Sequence, residues 1–185
     1  DLFKSLKRGD TSIVTDRIAD FSADGIKLES GEFLPADIVI AATGLDLLPL
    51  GGITADVDGV DVDVPNSLVY KGFMLENLPN FAFTVGYTNS SWTLKADLVA
   101  DYVCRILNEM DATGNNVVVP RNEDPSVEQR PLLDFPAGYV MRAIDKFPKA
   151  GSKQPWRMSS FYHLDNYRMN HAKVDDGILK LEHVD

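Results

Sequence analysis

The chain has 185 residues, 44% of them apolar, which suffices for one ordinary domain with a core and is too apolar for compositional disorder. Its formal net charge of -10 argues against nucleic acid or an anionic membrane surface as the main partner, since both select basic patches. A single cysteine, Cys104, excludes an internal disulfide and a CxxC redox pair, and no run approaches the roughly 20 apolar residues of a membrane span. A soluble, cytoplasmic protein is the expectation.

The chain opens on Asp1 rather than Met and runs straight into Leu2-Phe3-Lys4-Ser5-Leu6-Lys7-Arg8-Gly9, a short amphipathic helix closed by glycine. A piece of a longer protein is therefore expected. Residues 12–15, 18–21, 25–28 and 32–34 alternate in polarity and are joined by Asp24-Gly25 and Ser30-Gly31, which predicts two or three small strands with tight turns. They lead into Asp37-Ile38-Val39-Ile40-Ala41-Ala42-Thr43-Gly44. Ile38, Val39, Ile40 and Ala41 have the apolar, β-branched character of a strand buried on both faces. Ala42, Thr43 and Gly44 then remove side-chain bulk at its carboxyl end, where ligands approach open α/β sheets. Such a run suits a cofactor contact or a plain exit from strand to loop.

Further on, Asp56-Val57-Asp58-Gly59-Val60-Asp61-Val62-Asp63-Val64 superficially suggests a calcium loop. The spacing is wrong, because the sixth and twelfth places from Asp56 hold Asp61 and Ser67 instead of glycine and a bidentate acid. A hairpin turning at Asp58-Gly59 is predicted instead. Residues 80–87 read as a second buried strand ending at Gly86. After a polar loop, the segment from Trp92 to about Met110 carries the best helical pattern of the chain. Leu94, Leu98, Val99, Tyr102, Val103, Ile106, Leu107 and Met110 form its apolar face, opposite Asp97, Asp101, Arg105 and Asn108. Ser90 or Ser91 is placed to cap its start and Gly114 to stop it, while Cys104 reads as a packing residue. A strand at 117–120, a short helix at 139–147, a mostly helical aromatic tail at 156–173 and a closing strand at 177–184 complete the pattern. Trp156, Phe161, Tyr162 and Tyr167 suit an apolar lid or the lining of a pocket. His163, His171 and His183 are too scattered for a metal site, and none is assigned.

The second glycine-ended strand, the polar loop and the helix start repeat one arrangement. A helix start presents unpaired N–H groups and the positive end of a dipole, which favour negative charge beside it. A reduced flavin carries such charge on its pyrimidine side, so residues 89–95 suit a flavin ring, with the N–H groups near Thr93 and Leu94 facing it and Trp92 alongside. An ordinary capped core helix is the alternative.

The strings Asp37-Ile38-Val39-Ile40-Ala41-Ala42-Thr43-Gly44, Tyr70-Lys71-Gly72-Phe73-Met74-Leu75, Leu78-Pro79-Asn80-Phe81 and Gly86-Tyr87-Thr88-Asn89-Ser90-Ser91-Trp92-Thr93-Leu94-Lys95-Ala96-Asp97-Leu98 closely resemble flavin-containing monooxygenases. Within them the likeness is to the Baeyer-Villiger type (class B), and it covers nearly the whole chain, Pro155-Trp156-Arg157 included. The resemblance implies FAD as prosthetic group, NADPH as hydride donor and O2 as oxidant. In such enzymes a C4a-peroxyflavin inserts oxygen into a ketone or oxygenates a sulfur or nitrogen centre, so a ketone or a thioether- or thioamide-type small molecule is the implied substrate. Thr43 and Gly44 match the family's crossing between nicotinamide and flavin domains, and Asn89, Ser91, Trp92, Thr93 and Leu94 match the segment near the isoalloxazine. These seven residues are the expected cofactor contacts.

No G-x-G-x-x-G fingerprint is present, and neither the family's Baeyer-Villiger signature nor its peroxyflavin-associated arginine is matched, so no residue is assigned a catalytic role. The expected organisation is the carboxy-terminal part of an α/β parent with two dinucleotide-binding domains: residues 1–44 end the NADPH domain, 45–120 close the FAD domain, and 121–185 form a helical extension. The piece itself should be α+β, with mixed sheet fragments and one long amphipathic helix. A flavin-dependent NAD(P)H reductase without oxygenation, or an interaction domain with a vestigial fold, are the other readings.

Overall fold

A computed structural model describes residues 1–185, and the chain divides after Thr43 into two units. The first begins with α1 (Leu2–Arg8), which Gly9 ends in the left-handed region at φ 79°. A glycine takes that conformation without a Cβ clash, as its place in the sequence predicts. Strands β1 (Ile18–Ser22), β2 (Gly25–Leu28) and β3 (Phe33–Pro35) follow as an antiparallel meander. Residues 12–15 join no ladder. The buried strand expected at Ile38 to Ala41 does not form either, and Ile38 and Ile40 are 81% and 84% exposed. A strand buried on both faces needs hydrogen-bonding neighbours and a cover on each side, and the three-stranded meander offers the run neither.

In the second unit, Gly44–Asp185, a 3-10 turn at Pro49–Gly52 precedes the hairpin of β4 (Asp56–Val57) and β5 (Val60–Asp61). Asp58 and Gly59 have φ of 54° and 79°, a primed turn, and the Gly59 N–H donates to Asp56 Oδ1 at 3.1 Å. The aspartates of this stretch thus serve a turn. Strands β6 (Val69–Tyr70) and β7 (Met74–Leu75) form a second tight hairpin. Residues 80–87 are not a ladder strand: the Phe83 N–H bonds to the Phe73 carbonyl, and Phe81, Phe83 and Val85 turn half-buried while Ala82 and Thr84 face out. Period-2 alternation survives because one side of this segment packs and the other meets water.

Helix α2 (Trp92–Thr113) ends at Gly114, which is left-handed at φ 69°. After it come β8 (Val117–Pro120), β9 (Gln129–Pro131), α3 (Gly138–Ala143), β10 (Lys149–Gly151), α4 (Tyr162–His171) and β11 (Leu179–Glu182). The closing strand β11 pairs antiparallel with β8, and β10 with β9. The unit is α+β, but its sheets are small and antiparallel rather than mixed, with one isolated parallel bridge between Leu68 and Lys149. Short connections make hairpins, whereas parallel pairs need long crossovers.

Leu98, Val99, Tyr102, Ile106 and Met110 bury the predicted face of α2, and Leu107 lies half in solvent. With Tyr70, Phe73, Trp156, Met169 and Leu179 they form the main core. Each such side chain contributes roughly 1.5–3 kcal/mol on burial. Two positions of α2 depart from expectation. Cys104 is exposed rather than packed. Arg105, on the supposed solvent stripe, is half-buried and donates to the carbonyls of Met169 and Ala172 at the end of α4. Its stem packs while its head finds acceptors, which a polarity pattern alone does not register. The tail aromatics also separate: Trp156 is fully buried, whereas Phe161 and Tyr167 are exposed. No helix is long and apolar enough to cross a membrane.

Candidate functional site

Residues 85–88 deliver the chain to the start of α2. Ser91 occupies the N-cap position, but its hydroxyl pairs with the Thr93 hydroxyl at 2.7 Å instead of capping the backbone. The first-turn N–H groups of α2 therefore have no side-chain acceptor. Trp92 lies directly over Gly86, where an added Cβ would come within 2.2 Å of the indole Cγ. Only glycine admits this contact, and it leaves Trp92 62% exposed.

The exposed indole borders an apolar cleft of about 610 Å³ lined also by Leu45, Leu48, Phe83, Phe135 and Tyr139. Gly44 does not line the cleft but packs against one of its walls, because a Cβ there would approach the Tyr139 side chain to 3.2 Å, and its φ of 95° suits glycine. Of the seven residues expected to contact a cofactor, Trp92 alone lines this cleft, and Gly44 lies behind Tyr139. Leu94 is half-buried, and Asn89, Ser91 and Thr93 are exposed around the helix start. Thr43 is the last residue of the first unit.

Residues 85–88 also line a second cleft, of about 470 Å³, whose lining is polar and apolar in similar measure. Its floor includes a feature that sequence reasoning missed. Lys95, 2% exposed, donates to Asp165 Oδ2 at 2.6 Å and to the Lys71 carbonyl at 3.0 Å, and the Tyr87 hydroxyl donates to the same Oδ2 at 2.8 Å. Buried charge costs several kcal/mol unless paired and hydrogen-bonded, and here each polar atom finds a partner. Burial, and then the bond to Asp165, push the Tyr87 phenol well above its ordinary range. Lys95 falls in line with Val99, Tyr102 and Ile106 at helical spacing, so a lysine within an apolar stripe was the available signal. Its partner is 70 residues away, which no local pattern reveals.

A second network joins Tyr70, Lys71, Tyr102 and Asp176. The Tyr70 hydroxyl and Lys71 Nζ donate to Asp176 Oδ2 at 2.6 and 2.9 Å, and Lys71 Nζ also donates to the Tyr102 hydroxyl at 2.7 Å. Burial raises the Asp176 pKa, but hydrogen bonds from the Leu179 N–H, Tyr70 and Lys71 outweigh it and hold the carboxyl below its usual value.

No protein-family model and no solved structure matches the chain. Among curated proteins, it is 51% identical over 176 residues to the FAD-containing monooxygenase EthA of Mycobacterium tuberculosis, covering 95% of this chain and 36% of that protein. The EthA of Mycolicibacterium smegmatis is 48% identical over the same shares. "Probable FAD-binding monooxygenase AlmA" of Acinetobacter baylyi is 42% identical over 183 residues, covering 98% of this chain and 37% of that protein. Over nearly its whole length, then, this chain is a homologue of the FAD-containing monooxygenases, and it spans about a third of the length of the relatives it matches.

Proposed function

We propose that the chain is the carboxy-terminal part of an FAD- and NADPH-dependent monooxygenase of the cytoplasm that transfers one oxygen atom from O2 to a ketone, or to a sulfur or nitrogen centre of a thioether- or thioamide-type small molecule. FAD and monooxygenation are supported by the names of relatives at 42–51% identity. NADPH, the Baeyer-Villiger chemistry and the substrate class rest on the family resemblance of the sequence strings. In the same reading residues 1–44 end the NADPH domain, 45–120 close the FAD domain and 121–185 are an extension.

The observation that carries the reading is the start of α2, where Trp92 is held over Gly86 beside an apolar cleft and the first-turn N–H groups lack side-chain acceptors. These residues fit the ring end of a flavin. Trp92, Phe83 and Tyr139 would flank a planar ring and exclude water, Gly86 would keep the wall low, Gly44 would leave room for Tyr139, and the N–H groups near Thr93 and Leu94 would favour negative charge on the ring. When bound, FAD supplies the electrons that activate O2. The absence of a glycine fingerprint means that the pyrophosphate would be held by residues outside this chain.

The test is made on the full-length parent. Purified, it retains FAD and couples NADPH oxidation and O2 uptake to an ester or sulfoxide product. Trp92→Ala weakens FAD binding about tenfold, on the order of one lost aromatic contact. Full FAD occupancy in that variant overturns the site assignment, and NADPH oxidation without an oxygenated product replaces the monooxygenase by a reductase. The isolated 185-residue chain retains little or no flavin.

A further inference from the structure

In a chain of net charge -10, the second cleft lined by residues 85–88 gathers positive charge. Arg130 and Arg157 both line it, together with Thr88 and Ser160. Neither guanidinium donates a hydrogen bond within the chain. Arg157 has no ion-pair partner, and the single one of Arg130, Glu128 at 3.7 Å, is a loose pair between exposed side chains. The hydroxyls of Thr88 and Ser160 are likewise uncommitted, whereas the Ser159 hydroxyl on the same wall bonds locally to residue 161. Lys95 contributes to the floor, but its charge is neutralised by Asp165. One carboxylate, Asp134, shares the lining, so the cleft carries one unpaired cation, Arg157, and one loosely paired, Arg130, against one anion.

Arginine forks and hydroxyl donors in a concave site suit the paired oxygens of a phosphate or carboxylate, which two parallel N–H donors can hold at once. Arg8 and Arg121 are each engaged by an acid within 3.1 Å, whereas Arg17 and Arg142 are exposed without an ion pair, so what distinguishes Arg130 and Arg157 is that they share one concave site. We infer that the cleft lined by Arg130, Arg157, Thr88 and Ser160 is an oxyanion site, which receives the phosphate or carboxylate group of a small molecule. Its geometry lies wholly within the second unit and does not depend on the flavin reading.

The experiment titrates the 185-residue chain with inorganic phosphate, and separately with acetate, at constant ionic strength, while its backbone amide resonances are followed. Saturable shifts at Thr88, Leu133 and Ser160 are expected. Arg157→Gln weakens binding about tenfold, as expected for a lost charge-assisted pair, and Asp134→Asn tightens it. Both side chains belong to exposed residues, and circular dichroism verifies that each variant keeps its fold. Saturation by phosphate alone assigns a phosphoryl group, and saturation by acetate alone a carboxylate. No saturable shift with either anion, or shifts unchanged in Arg157→Gln, overturns the inference. That failure would leave flavin retention by the parent untouched, so the two readings fail separately.

Discussion

The two units of the chain are built on opposite principles. In Asp1–Thr43, only Gly25 and Leu28 are buried, and the meander is held by ladder hydrogen bonds between neighbours in sequence. In Gly44–Asp185, the main core joins residues as distant as Tyr70 and Leu179 around one long helix, and two charged side chains are drawn inside. The difference teaches where cooperativity resides. A locally bonded meander with little buried apolar surface opens readily, whereas a non-local core with committed polar partners opens as a whole.

The sharpest way to break this contrast is Lys95→Ala. It leaves the Asp165 carboxylate buried without its cation, and the loss of one partner of a buried pair costs about 3–5 kcal/mol. Urea unfolding followed by amide exchange should show the second unit losing most of that amount while β1 to β3 exchange as before. Equal loss in both units would make the contrast wrong. A smaller effect is expected of Gly86→Ala. The new methyl would overlap the Trp92 ring and main chain, costing about 1–3 kcal/mol and displacing the indole from its cleft. Tryptophan fluorescence reads the displacement, and an unchanged spectrum would contradict it. Smallest is a pH effect. Because the folded pKa of Asp176 is depressed, its contribution is complete above the ordinary aspartate range and fades as pH falls through the lower folded value. Asp176→Asn should flatten the acid limb of stability in the second unit alone.

What the sequence disclosed follows the same division between local and distant. The course of α2, its glycine stop, the turn at Asp58-Gly59 and the strands at 117–120 and 177–184 are short-range patterns, and the structure has each of them. Distance defeats such patterns. Ile38 and Ile40 have strand composition, yet a strand exists only where neighbours pair with it. Trp156 and Phe161 sit five residues apart in one aromatic tail, and nothing local tells which enters the core and which stays outside. At the candidate site, the Trp92 string stood out by its residues, whereas the two clefts that share residues 85–88 draw their walls from residues 45 to 160 and required the fold.

Arg105 has a consequence for the order in which the molecule assembles. Helix α4 is ten residues long, below the length at which isolated helices persist in water, and its sequence has little amphipathic character. Near its start it is fastened through Asp165 to Lys95, and at its end the carbonyls of Met169 and Ala172 are taken by Arg105. Both fasteners are side chains of α2. The fourth helix is therefore a dependent of the second, forming when α2 is in place and dissolving with it, so its amides report the integrity of a helix some sixty residues earlier in the chain.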